Sequence, residues 1–471
     1  MNDPKAHGIV VAGMRSSDGK TAVTCALLAA FAERGLPIQP FKVGPDFIDP
    51  GYHARISGLA SRNLDAWMMG NERVLLEVGR HGAGKFSVVE GVMGLFDGSD
   101  AHSDEGSTMA LARSLNWPVL LVLPSAKAGR SLAAALRGFV TEAGQNRIAG
   151  VVLNGVAGQT HSEYLREALV PLNLPVYGAV PSCEELSWPE RHLGLKASQE
   201  GLLPSRQVLA MLAERFIDVA AIIDLMTPAP PVSDEPVRLP TGLRIAVARD
   251  EAFHFYYQAN LDYLRNTGAD LIEFSPIHDN KLPSEIDGLV IGGGFPEEFA
   301  EELSQNSSIR SEIRKAIADG VSCYAECGGL MLLSKELVDS KGKRFPMSGV
   351  VPGKVEMTST RQHFGYCECV GYAGAPGTTF RGHEFHHSRW IGEEEFANLW
   401  TVRRKRLGTS RTEGFRAGLL HASYVHLYFS ESEEAVADLV ACPLNKHPFV
   451  AIKMGRRQGG PSRTGSRRAQ I

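Results

Sequence analysis

Short apolar runs alternate with longer helical patterns over residues 1–222. GIVVAG (8–13), FSVVEGV (86–92), PVLLVLPS (118–125) and IAGVVLNGV (148–156) are short apolar runs bounded by Gly, Pro or polar residues. Segments such as TAVTCALLAAFAERG lie between them. Apolar strands alternating with helices predict an α/β unit whose parallel sheet is covered on both faces.

The pattern breaks at TPAPPVSDEPVRLPTG (227–242), which is rich in proline and has no apolar period. It predicts an interdomain linker. A second alternating unit follows, with LRIAVARD (243–250), ADLIEFSP (269–276) and GLVIGGG (288–294), and residues 349–390 read as richer in β-structure. From Met454 the chain is low in apolar residues and rich in Gly, Ser and Arg, which predicts a disordered basic tail. The expected division is 1–226, linker 227–242, 243–453 and tail 454–471.

Composition narrows the class. At 471 residues the chain is too long for one ordinary core. A net charge of −4 argues against a general nucleic-acid binder. No apolar run reaches the ~18–20 residues that span a bilayer. The N-terminal stretch has no secretory pattern. Seven scattered cysteines predict reduced thiols in a cytoplasm.

After the first strand, GMRSSDGKT runs from Gly13 to Thr21. A strand, a glycine-rich turn, Lys-Thr and a helix make a phosphate-binding loop. Gly13 and Gly19 let backbone N–H groups face phosphate, Lys20 adds charge, and Thr21 offers a hydroxyl to Mg²⁺. Five residues separate the glycines where four are usual, which marks a deviant loop. VVEGVMGLFDG (88–98) puts Glu90 at a strand end and Asp97 in the loop beyond, where carboxylates sit over the ligand crevice. FKVGPDFIDPGYH (41–53) fences Asp46 and Asp49 between Pro45 and Pro50, a rigid loop suited to presenting acids to a substrate. Arg62, Asn63 and Asp65 follow. Asn154 is a candidate for reading an adenine edge, and Glu190, Arg191 and His192 for a polar binding loop.

CYAECGGLMLL (323–333) sets Cys327 between an apolar strand and an expected helix, LMLLSKEL, with Gly328 and Gly329 permitting a sharp turn. This is the pattern of a nucleophile elbow, with the thiol at a helix start where thiolate is favoured. A thiol nucleophile for acyl transfer needs a histidine base. The candidates are His383, His386, His387, His421 and His426. On one strand, residues 421 and 426 face opposite ways, and the pattern alone does not choose between them. Gly292, Gly293 and Gly294 are candidate oxyanion donors. Cys367 and Cys369 find no second pair to complete a metal site.

Together, the phosphate loop, PFKVGPDFIDPGYH, SRNLDAWM, VEGVMGLFDG, PERHLGL, IGGGFPEE, YAECGGLM, RGHEFHHSR and ASYVHLYF resemble the cobyrinic acid a,c-diamide synthase family along almost the whole chain. The resemblance implies a P-loop domain like dethiobiotin synthetase followed by a class I glutamine amidotransferase domain. It implies Cys327 as nucleophile and His426 as base, and MgATP, L-glutamine and a tetrapyrrole polycarboxylate as reactants. It also implies amidation of the a and c acetates of cobyrinic (or hydrogenobyrinic) acid through an acyl phosphate and channelled ammonia. Asp46 and Asp49 would order the acceptor or steer ammonia. Sirohaem or (nickel-)sirohydrochlorin are the alternative acceptors, and a homodimer is compatible with the resemblance. Leu427 and Tyr428 follow His426 where many amidotransferases have Pro-Glu, so the orienting acid is missing from its usual place. Glu384 is the substitute the pattern offers.

Overall fold

The computed structural model describes residues 5–99, 101–186, 190–191, 194–195, 204–231, 242–371, 379–391, 399–404 and 407–429. His192, the tail 454–471 and most of the expected linker lie outside them.

The first half is a parallel sheet with helices on both faces. Its elements run β1 (His7–Gly13), α1 (Lys20–Glu33), β2 (Ile38–Val43), α2 (Asp49–Ser57), β3 (Arg62–Leu64), α3 (Ala66–Gly82), β4 (Phe86–Glu90), β5 (Val119–Pro124), β6 (Ile148–Val156) and β7 (Val176–Pro181). The spatial order is β3-β2-β4-β1-β5-β6-β7. Every strand but the edge strand β3, which has only Leu64, buries apolar side chains on both faces. β2 escapes the apolar pattern because Pro40 interrupts it. Pro40 is tolerated because β3 pairs only from Phe41 onward, so only β4 flanks the strand there. The expected linker starts late. Thr227 and Pro228 form a short strand antiparallel to β1, so the first sheet includes the chain to that point.

Among the described residues, the second half has two larger sheets, beside a four-stranded one (Arg344–Pro346, Glu336–Val338, Lys354–Met357, Ser388–Ile391) and a two-stranded one (Phe253–Phe255, Gly293–Gly294). A mostly parallel one orders Asp270–Phe274, Arg244–Ala248, Gly288–Ile291, Ser322–Glu326, Leu420–Ser423 and Phe415–Ala417. An antiparallel one orders Thr409–Glu413, Trp400–Arg404, His363–Val370, Thr379–His386 and His426–Leu427. The helix after Cys327 covers only Gly328–Leu333, shorter than expected. Ser334 turns its hydroxyl back to the carbonyl of Met331 (2.7 Å), and Glu336–Val338 enters a strand.

The halves are in contact. Tyr257 and Tyr428 join the core cluster of the first half. The rings of Trp67 and Tyr366 pack tilted with centroids 4.5 Å apart, and Arg381 donates to the carbonyl of Trp67 at 2.7 Å. The hydroxyl of Tyr366 donates to Asp65 (2.8 Å), and Arg62 bridges Glu77 and Asp262. Among the described residues, no helix is long and apolar enough to cross a membrane.

Candidate functional site

The phosphate loop leaves β1 and enters α1 through Gly19, whose φ of 92° favours glycine. Lys20 curls back, with Nζ donating to the carbonyl of Arg15 at 3.0 Å. The polar insert closes on itself, since buried Asp18 accepts from the backbone of Arg15 (2.9 Å) and from its side chain (3.2 Å). Asn154 braces the loop from β6. Its amide donates to the carbonyl of Asp18 at 3.0 Å, so at least one hydrogen expected for a base edge is already committed.

Thr21 donates its hydroxyl to Glu90 at 2.7 Å. Glu90 also lies 2.7 Å from Nε2 of His53 and 3.3 Å from Nζ of Lys42. Lys42 reaches Asp49 (2.8 Å) and Asp46 (3.8 Å), and donates to the carbonyl of Gly91 (2.8 Å). One ammonium thus ties both acids of the 44–50 loop to the end of β4. Burial opposes charge on Lys42, but Asp49, Glu90 and Asp46 outweigh it and raise its pKa. Burial likewise opposes ionisation of Glu90, yet Lys42, His53 and Thr21 hold its carboxyl well below the usual range. Burial, with Asp46 and Glu90 beside it, pushes Asp49 up.

Lys42 and His53 were missed as site residues, although both flank the acid loop in sequence. Asp49 opens α2 and His53 follows one turn later, a spacing that puts two side chains on one helix face. Asn63 shapes the loop by donating to the carbonyls of Gly44 (2.9 Å) and Asp46 (2.7 Å). Arg62 and Asp65 serve the contact between the halves.

Asp97 accepts from the N–H of Gly94 (2.8 Å), in a loop that Leu95 ties to the carbonyl of Gly13 (2.9 Å). Among the described residues, no group of three or more His, Cys, Asp or Glu side chains is arranged to hold a metal ion by itself. The adjoining oxygens of Thr21 and Glu90 fit Mg²⁺, which takes most of its ligands from phosphate and water.

In the second half Cys327 has φ 48° and ψ −100°, a strained conformation for a residue with a side chain. Its N–H donates to the carbonyl of Ser423 at 2.7 Å, and it is buried except for a small opening. A Cβ on Gly329 would come within 2.2 Å of the carbonyl of Ile291, so only glycine fits at that turn.

His421 and His426 are not on one strand. Between them Tyr424 donates its N–H to Glu413 (2.7 Å) and Val425 to the hydroxyl of Ser423 (3.0 Å). These bonds carry the chain from the parallel sheet to the antiparallel one. The parity argument therefore does not apply, and His421 lies opposite Tyr324 within the parallel sheet. His426 pairs across strands with His383, and their rings stack at 5.0 Å. Burial works against protonation of His426, but hydrogen bonding to Cys327 and Glu326 and their nearby charge raise its pKa to about 10.

Glu384 points away from this site. It neighbours His383 in the strand and so faces the other way, toward Arg404 (2.8 Å) and Arg411. The acid beside His426 is Glu326, with Oε2 3.5 Å from Nδ1. The sequence signal was its place just before Cys327. Gly293 packs so tightly on His426 that a Cβ would sit 2.5 Å from the ring. The N–H of Gly292 is not free, because it donates to the hydroxyl of Tyr256 (2.9 Å).

The two sites meet at Phe47, between the two loop acids. Its ring lies 5.0 Å from that of His426, 5.6 Å from His383, 4.6 Å from Tyr257 and 5.1 Å from Phe255.

Comparison with known proteins gives the same two parts. Residues 9–195 match the model described as the CobQ/CobB/MinD/ParA nucleotide binding domain, and residues 244–434 match that of the CobB/CobQ-like glutamine amidotransferase domain. The chain is 40% identical to the cobyrinate a,c-diamide synthase of Synechococcus sp., over 89% of this chain and 95% of that one. It is 40% identical to that of Syntrophotalea carbinolica, over 92% and 97%. For Salmonella typhimurium the identity is 38%, over 92% and 98%. The chain belongs to the cobyrinate a,c-diamide synthase family of glutamine-dependent carbon–nitrogen ligases, with a P-loop nucleotide-binding domain followed by an amidotransferase domain.

Proposed function

We propose that the chain amidates the a and c acetate carboxylates of cobyrinic (or hydrogenobyrinic) acid, using ATP and L-glutamine. Residues 1–226 form the synthetase half and 243–453 the glutaminase half. Cys327 gives its proton to His426 and attacks the carboxamide carbon of glutamine. His426 returns the proton to the leaving nitrogen, releasing ammonia and a glutamyl thioester, which water cleaves to glutamate and the thiol.

In the other half an acetate oxygen takes the γ-phosphoryl group of ATP, leaving ADP and an acyl phosphate. Lys20 offsets charge on the transferred group. Ammonia then attacks the acyl carbon and expels phosphate, with Asp46 and Asp49 ordering the acceptor or steering ammonia. Mg²⁺, held through Thr21 and Glu90, would neutralise phosphate charge when bound.

The observation that carries this reading is Phe47: the loop bearing Asp46 and Asp49 touches the ring of His426. Ammonia released there need not enter bulk water, where protonation would remove its lone pair.

The test incubates purified protein with MgATP, glutamine and each tetrapyrrole, and reads product mass. Two amides are expected on cobyrinate. Two amides on sirohaem or a sirohydrochlorin and none on cobyrinate would refute the choice of acceptor. Cys327→Ser should abolish glutamine-driven product and keep ammonium-driven product.

A further inference from the structure

Leu427, Tyr428 and Phe429, directly after the histidine, bring no acid, yet the histidine has a carboxylate beside it. Tyr324 and Glu326 are two apart at the end of the strand Ser322–Glu326, so both face the strand that carries His426. The Tyr324 hydroxyl and the backbone N–H of Leu427 (3.0 Å) both donate to Oε1 of Glu326. That leaves Oε2 for His426, 3.5 Å from Nδ1, an ion-pair distance rather than a formed hydrogen bond. Nδ1 has no nearer hydrogen-bond partner among the described residues. Among the described residues, two other carboxylates of this region are engaged elsewhere: Glu413 with Ser423 (2.6 Å) and the N–H of Tyr424, and Glu384 with Arg404 and Arg411.

Resting on the glutaminase reading above, we propose that Glu326 is the positioning acid of this site, supplied from the residue before the nucleophile instead of from beyond the histidine. Its carboxylate fixes the ring of His426 through Nδ1 and turns the other nitrogen to Cys327. It also stabilises the imidazolium that forms when His426 takes the thiol proton, as the third member of a triad does. Tyr324 and Leu427 set the carboxylate's angle. The bond from Leu427 ties the acid to the His426 strand, so acid and base are placed by one contact between the two sheets. The raised pKa of His426 agrees with a carboxylate at this position.

The experiment compares Glu326→Gln and Glu326→Asp with wild type. Gln keeps an oxygen for Tyr324 and Leu427 and puts an uncharged NH2 donor in place of the charged acceptor facing Nδ1. Glutamine hydrolysis by Glu326→Gln should lose kcat by ~100-fold or more, up to the ~10⁴-fold seen when the acid of a Ser-His-Asp triad is neutralised, with KM within about threefold. Inactivation by 6-diazo-5-oxo-L-norleucine, which labels the thiol, should slow in parallel. Glu326→Asp should recover part of kcat, and Tyr324→Phe should lose kcat more mildly. Ammonium-driven amide formation should stay at the wild-type rate and so report intact folding. Less than threefold loss of kcat in Glu326→Gln, or an equal loss with ammonium, would overturn the proposal. Failure of wild type to amidate any tetrapyrrole while still hydrolysing glutamine would refute the acceptor and leave this test standing.

Discussion

Lys42 shows how one side chain holds a site together. It is almost wholly buried and has three carboxylates around it, one of them at the end of β4 and two on the 44–50 loop. Removing its charge leaves Asp49 and Glu90 buried with too little compensation, a change that costs about 3–5 kcal/mol. Lys42→Met should lower the urea midpoint accordingly and abolish ATP-dependent amidation. A midpoint equal to wild type would show that the acids simply take up protons. Lys42 was legible in hindsight, because a lysine ending an apolar strand beside two fenced acids has few other partners. The acid in Glu326 was harder to see. The resemblance points to a place after His426 for an orienting acid, whereas the carboxylate beside His426 stands just before the thiol.

At the scale of elements, the acid loop between β2 and α2 links the two chemistries. Asn63 holds its carbonyls, Lys42 its carboxylates, and Phe47 faces the other site. Phe47→Ala should open this wall. Glutamine hydrolysis should continue while amide formed per glutamine consumed falls severalfold, and saturating ammonium should restore product. An unchanged ratio would mean that ammonia travels elsewhere.

The alternating apolar runs foretold most central strands of both parallel sheets, because strands buried on both faces must be apolar throughout. β2 was hidden by Pro40, acceptable only because of which neighbour pairs where. The break between His421 and His426 was hidden for a similar reason. Its cause is Glu413, which arrives from a distant hairpin to bind Ser423 and Tyr424.

Across the whole molecule, the contact between halves combines apolar and polar anchors. Trp67 packs against Tyr366 and under Arg381, the group is sealed by the bond from Tyr366 to Asp65, and Arg62 reaches Asp262 nearby. Such a joint should make the halves unfold together. Calorimetry should give one transition for wild type and two for Tyr366→Phe combined with Arg381→Ala. The same variant should keep glutamine hydrolysis and make less amide per glutamine. One unresolved transition in both proteins would place the coupling at the Phe47 contact.

The Phe47 cluster also bears on how this polypeptide tolerates being divided. A gene split between codons 231 and 242 would yield two separate products. One would expose Phe47 and Trp67 to water, and the other Phe255, Tyr257 and Tyr366. Neither product is suited to a solitary life, and coexpression should favour their reunion over independent circulation.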